Sequence, residues 1–185
     1  MMRFFRVFGV VTAFALALTL ATPAVAGSQV PVKGTVTGLH DRVLDDPECP
    51  GYAWSFSSDG VGQMSHLGRV DYELIQCTIP VGDDLESVGT MTFTAANGDV
   101  LSVTHTMTSR LVFGPTPGPP IGFEMDGEWE ADGGTGRFLN ATGDGLFEGL
   151  GDIPDGLTDL GLSDGLLQLD FNGDIAYDAS NRSRK

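Results

Sequence analysis

The chain is poor in cysteine, histidine and positive charge. Its 185 residues include two Cys, three His and ten Lys or Arg, against 25 Asp or Glu. Three imidazoles scattered at positions 40, 66 and 105 give no metal-ligand spacing and no hydrolytic triad. No metal and no other cofactor is expected. A formal charge of −15 leaves few cations to displace counterions from a phosphate backbone, so nucleic acid is not expected as a partner. With 41% of residues hydrophobic and 19% charged, the composition is too apolar for a disordered acidic tail.

Long hydrophobic runs are absent after the first 26 residues. Met1 to Arg6 carry Arg3 and Arg6, Val7 to Leu20 is almost wholly apolar, and Pro23 is followed by Ala24-Val25-Ala26. That order of basic, apolar and small residues predicts a secretory signal peptide over 1–26. The apolar stretch is shorter than the roughly 20 residues that span a bilayer, so no stable membrane span is expected after cleavage. Losing Arg3 and Arg6 takes the charge from −15 to −17. The expected location is extracellular, or periplasmic in a two-membrane bacterium. Residues 27–181 are expected to form one domain, and Arg182, Arg184 and Lys185 make 182–185 a short basic tail. In an exported protein Cys49 and Cys77 are candidates for a disulfide, because the compartment permits one.

No stretch of ten residues shows a 3.6-residue apolar rhythm, whereas short period-two segments recur between Gly, Asn, Asp and Pro. Strands are predicted at Val30 to Thr37, Tyr52 to Ser57, Val61 to His66, Val70 to Cys77, Phe138 to Phe147 and Leu166 to Tyr177. Gly89 to Met107 reads as a hairpin around Asn97-Gly98. Met91, Phe93, Leu101 and Val103 are all odd-numbered, so a shared apolar face requires pairs with an even sum. A three-residue loop with Gly98 left-handed satisfies this, pairing Phe93 with Leu101 and sending His105 to the apolar face. From Phe123 to Asp132 every even position is acidic, while Phe123, Met125, Trp129 and Ala131 alternate with them. One face is a carboxylate wall and the other packs. Arg137 is expected to open the returning strand opposite Asp132. The fold class is therefore all-β, a single antiparallel barrel of about eight strands, since closure removes the edges of so many short strands. A flattened sandwich is the alternative.

Three segments carry a resemblance: Gly62-Gln-Met-Ser-His-Leu-Gly-Arg69, Thr92-Phe-Thr-Ala-Ala-Asn-Gly-Asp-Val-Leu101 and Gly133-Gly-Thr-Gly-Arg-Phe-Leu-Asn-Ala-Thr-Gly143. In that order they resemble bacterial secreted members of the allene oxide cyclase and dirigent barrel superfamily, over about Tyr52 to Tyr177. The resemblance implies an eight-stranded barrel with an apolar interior. It assigns no catalytic residue.

Three functional classes follow. The first is a non-catalytic barrel holding a small hydrophobic ligand, with Phe93, Leu101, Val103, Met125 and Trp129 as lining and His105 as a polar contact. The second is a cyclase or isomerase acting on a hydrophobic substrate. The third is a surface protein that uses its acidic face, with Ca²⁺ as a candidate ligand. The leader makes one prediction. The intact mass of protein recovered from its natural exporter should correspond to a chain starting at Gly27; a mass that retains residues 1–26 would contradict it.

Overall fold

The structure, a computed structural model, describes residues 29–44, 46–154 and 165–178. The predicted leader, the basic tail and most of the acidic stretch before Gly165 lie outside these residues. Eight strands form a closed barrel: β1 Val30–Leu44, β2 Trp54–Met64, β3 Gly68–Val81, β4 Asp84–Ala95, β5 Val100–Phe113, β6 Pro120–Gly134, β7 Thr142–Asp152 and β8 Gly165–Ala176. Each pairs antiparallel with the next, and β8 closes on β1 from Val30↔Ile175 to His40↔Gly165. No helix among the described residues is long and apolar enough to cross a membrane.

The β4–β5 hairpin has the register that parity requires, with Phe93 opposite Leu101 and Met91 opposite Val103. Ala95 N donates to Asp99 O at 2.9 Å around the three-residue loop, and Gly98 is left-handed at φ +87°. Strand β6 also alternates as expected. Glu124, Asp126, Glu128, Glu130 and Asp132 are exposed while Met125, Trp129 and Ala131 are buried.

Two expectations are corrected. The segments Tyr52 to Ser57 and Val61 to His66 are one strand, β2, which ends at Met64. The intervening Gly60 marks a close approach of two backbones, since a Cβ there would lie 2.5 Å from Gly38 Cα on β1. Arg137 does not open a strand. Gly136–Phe138 is a 3-10 turn and β7 starts at Thr142. Arg137 Nε lies 3.3 Å from Asp99 Oδ2, an ion pair largely shielded from solvent, so the charge ties the β6–β7 connection to the β4–β5 hairpin and leaves Asp132 alone. Phe138, predicted to begin that strand, is instead fully buried in the turn.

The two ends of the barrel differ. The β2–β3, β4–β5 and β6–β7 connections form a floor, where Met64, Leu67, Ala95, Phe138, Ala141 and Ile175 are buried. Phe138 and Tyr177 pack there with ring centroids 5.0 Å apart. The opposite end, where the β1–β2, β3–β4 and β5–β6 connections lie, is the mouth. A Cys49–Cys77 disulfide, Cα–Cα 5.4 Å, ties the β1–β2 connection to the outer wall there. Because the bridged residues are 28 apart in sequence, the main effect of the bridge is to restrict the unfolded chain. Replacing both cysteines by serine should lower the unfolding free energy in urea by about 3 kcal/mol; an unchanged midpoint and slope would contradict this.

Candidate functional site

The interior is sorted by polarity along its axis. Seven polar residues are buried on the inward face in the mouth half: His40, Ser58, Gln76, Thr78, Ser87, His105 and Ser109. Among the described residues the floor half has apolar side chains on that face, apart from the hydroxyl of Tyr72, a residue opposite Phe93. A buried polar group costs free energy unless it is hydrogen-bonded, so the partners of this group define the site.

Most of them are paired across strands. Thr78 and Ser87 are ladder partners, and their hydroxyl oxygens are 2.8 Å apart. Ser58 Oγ donates to Leu39 O at 2.8 Å, which leaves the same oxygen to accept the Tyr72 hydroxyl at 2.7 Å. Burial raises the Tyr72 pKa from its ordinary value, so the phenol stays protonated and remains a donor. His40 donates through Nε2 to Asp152 O at 2.9 Å and stacks on Phe56 at 5.0 Å, with Phe123 edge-on at 5.4 Å. Arg42, on the same strand at the rim, lies over the Trp54 ring at 5.4 Å.

His105, the imidazole that the sequence offered as a ligand contact, is buried. Gly89 separates it from Gln76 in the register, and across that glycine His105 Nε2 meets Gln76 Oε1 at 3.0 Å. A Cβ at Gly89 would sit 2.7 Å from Gln76 Cβ, so only glycine leaves the bridge room. The ladder places Trp129 directly opposite His105 on β6. His105 Nδ1 and Trp129 Nε1 are both buried and both lack a hydrogen-bond partner. Phe147 packs against the His105 ring at 5.9 Å, near perpendicular. Desolvation pushes the His105 pKa down to about 4, so the ring is neutral at physiological pH.

All six residues expected to line a ligand are buried, five of them in one hydrophobic cluster and His105 among the buried polar residues, but they sit at different depths. Phe93 and Leu101 sit toward the floor, where Phe93 packs edge-on against Phe171 at 5.3 Å. Val103 is intermediate, opposite Met91 and Ala131. His105, Trp129 and Met125 belong to the mouth half with the polar group. Sequence reasoning missed His40, Ser58, Gln76, Thr78, Ser87 and Ser109. One signal was available: Gln76 and Thr78 continue the even-numbered series Val70, Tyr72 and Leu74 onto the inner face.

The outer wall provides a different chemistry. Asp126, Glu148 and Asp170 are cross-strand neighbours on β6, β7 and β8, as are Glu130, Asp144 and Asp174. Like charges opposite one another oppose folding. Arg110 offsets one row, with Asp126 at 3.5 Å. Open grooves of about 430 Å³ run between these outward side chains, one beside Thr106, Asp126 and Glu128 and another beside Thr104, Glu130 and Asp144. Among the described residues no three acidic, His or Cys side chains converge as a metal-ligand set. The spacing Gly161-Leu-Ser-Asp-Gly165 matches the Gly-x-Ser-x-Gly pattern in sequence. It leads into strand β8, whereas a nucleophile elbow joins a strand to a helix.

No protein-family profile, no curated protein and no solved structure matches this chain. The eight-stranded antiparallel barrel is consistent with the shape that the resemblance implies, and no homology to the allene oxide cyclase and dirigent superfamily is shown.

His105 makes stability depend on pH. Its folded pKa of about 4 lies below the ordinary 6.5, so an unfolded chain takes up the proton first as pH falls. The contribution is complete above pH 6.5 and is lost between 6.5 and about 4, amounting to about 3 kcal/mol. Urea titrations of wild type and His105→Phe should differ in slope across that window, with the variant flatter. Parallel pH profiles would contradict the assignment.

Proposed function

We propose that this chain is an exported, acidic barrel protein that binds a small, largely apolar molecule in the mouth half of its barrel. The observation that carries this reading is the pair of buried, unpartnered polar atoms, His105 Nδ1 and Trp129 Nε1. Each such atom costs about 1–3 kcal/mol in a closed core, and apolar residues of similar shape would avoid the cost. A site that keeps them is suited to a ligand that completes their bonds. His105, Met125 and Trp129 are the contacts nearest the polar group, and Val103, Leu101 and Phe93 form an apolar bed below them.

Two further features fit. Met107 and Met125 follow His105 and Trp129 toward the mouth on β5 and β6, and both are buried. Methionine side chains are flexible and yield to an incoming group more readily than branched ones. Eight strands enclose an interior that is either filled by side chains or able to hold one small ligand. Membership of the allene oxide cyclase and dirigent superfamily, suggested by the three glycine-bearing segments, agrees with this reading at the level of fold and adds no chemistry to it.

Native mass spectrometry of protein purified from its own source tests the proposal. A co-purifying apolar molecule is expected at one per chain, and Ser109→Trp, which adds bulk between His105 and the mouth, should abolish its retention. Wild type that carries no molecule, and whose melting temperature no apolar compound raises, would contradict ligand binding.

A further inference from the structure

We infer that the bound molecule carries a neutral hydroxyl whose O–H donates to His105 Nδ1, and that an oxygen of the same molecule accepts from Trp129 Nε1–H. The inference rests on the binding reading above and adds the chemical class of the ligand. Gln76 Oε1 is an acceptor 3.0 Å from His105 Nε2, so the imidazole proton resides on Nε2. A neutral imidazole has one N–H, which leaves Nδ1 as a bare acceptor. The indole of Trp129 can only donate. His105 and Trp129 thus present an unmet acceptor and an unmet donor on residues opposite each other in the ladder.

A hydroxyl supplies both complements without charge. A ketone or ether supplies an acceptor and leaves His105 Nδ1 unmet. A carboxylate supplies no donor and brings a buried negative charge. Among the described basic residues, Lys33 and Arg69 are exposed, Arg110 and Arg137 face carboxylates, and Arg42 lies over Trp54 at the rim. None is placed to neutralise an anion beside His105. An ammonium group would donate to Nδ1 but would leave the indole N–H unmet and carry a charge into an apolar core.

Matched eight-carbon probes separate these cases. Binding of 1-octanol, 2-octanone and octanoate is measured by calorimetry on the wild-type chain and on His105→Phe, with folding of the variant checked by circular dichroism. Wild type should prefer 1-octanol to 2-octanone by roughly tenfold, as expected for one buried hydrogen bond gained, and should bind octanoate least. His105→Phe should erase the preference for the alcohol while still binding both neutral probes. Equal affinity for the alcohol and the ketone in wild type, or tightest binding of octanoate, would overturn the hydroxyl assignment and leave ligand binding standing. Failure of all three probes to bind would count against both.

Discussion

The width of a closed ring of eight strands constrains everything inside it. The interior cannot accept a large side chain at every inward position, and strand β7 resolves the conflict by giving way. Its inward positions are Gly143, Gly145, Phe147, Gly149 and Gly151, and the neighbours fill the space. A Cβ at Gly145 would lie 2.7 Å from Trp129 Cε2, and one at Gly173 on β8 would lie 2.5 Å from Trp129 Cζ2. The indole therefore lies across two glycines, and its N–H is carried into the core and away from water. Phe147, the one large inward residue of β7, crosses in the other direction over Gly127 and reaches the His105 ring. The unusual burial of the two nitrogens is a consequence of this exchange of glycine for aromatic bulk.

The two ends of the barrel also differ in polarity. At the floor, the Asp99–Arg137 pair ties two connections together, Tyr177 packs against both Phe138 and His66, and the inward side chains are mostly apolar. Toward the mouth the inward face gains hydroxyls, an amide and two imidazoles, most of them satisfied across strands. The outer wall bears the negative charge in cross-strand rows, where it favours solubility and repels anions. A neutral ligand approaches such a surface without penalty.

Legibility from sequence followed the same division. The β4–β5 hairpin and the acidic face of β6 were readable because side-chain parity has only two outcomes and the apolar residues chose one. The three segments that resemble a known superfamily all map to the floor, where turn chemistry restricts the sequence. His66, within one of them, adopts φ 66° in the β2–β3 turn. The mouth was harder to read. Ser57 to Gly60 resembles a break in a strand, yet Ser58 is a buried inward residue because Gly60 allows β2 to run close beside β1. His40 lies beyond Gly38, and Ser87 precedes the expected start of its strand at Gly89. Glycine signalled an end in each case, whereas in this barrel it marks a place where another residue needs room. The partner of Arg137 was also beyond reach, because Asp99 approaches it through tertiary packing of two hairpins.

The central claim is that Trp129 and His105 hold a ligand's polar group inside the barrel. The proton resonance of the Trp129 indole N–H tests it most directly, with Trp54 at the rim as the internal control in the same spectrum. With no ligand added, the Trp129 signal should lie upfield, as for an indole without a hydrogen-bond partner, and saturation with 1-octanol should move it downfield while Trp54 stays in place. A Trp129 signal that does not respond to the alcohol, or a shift confined to Trp54, would contradict the account.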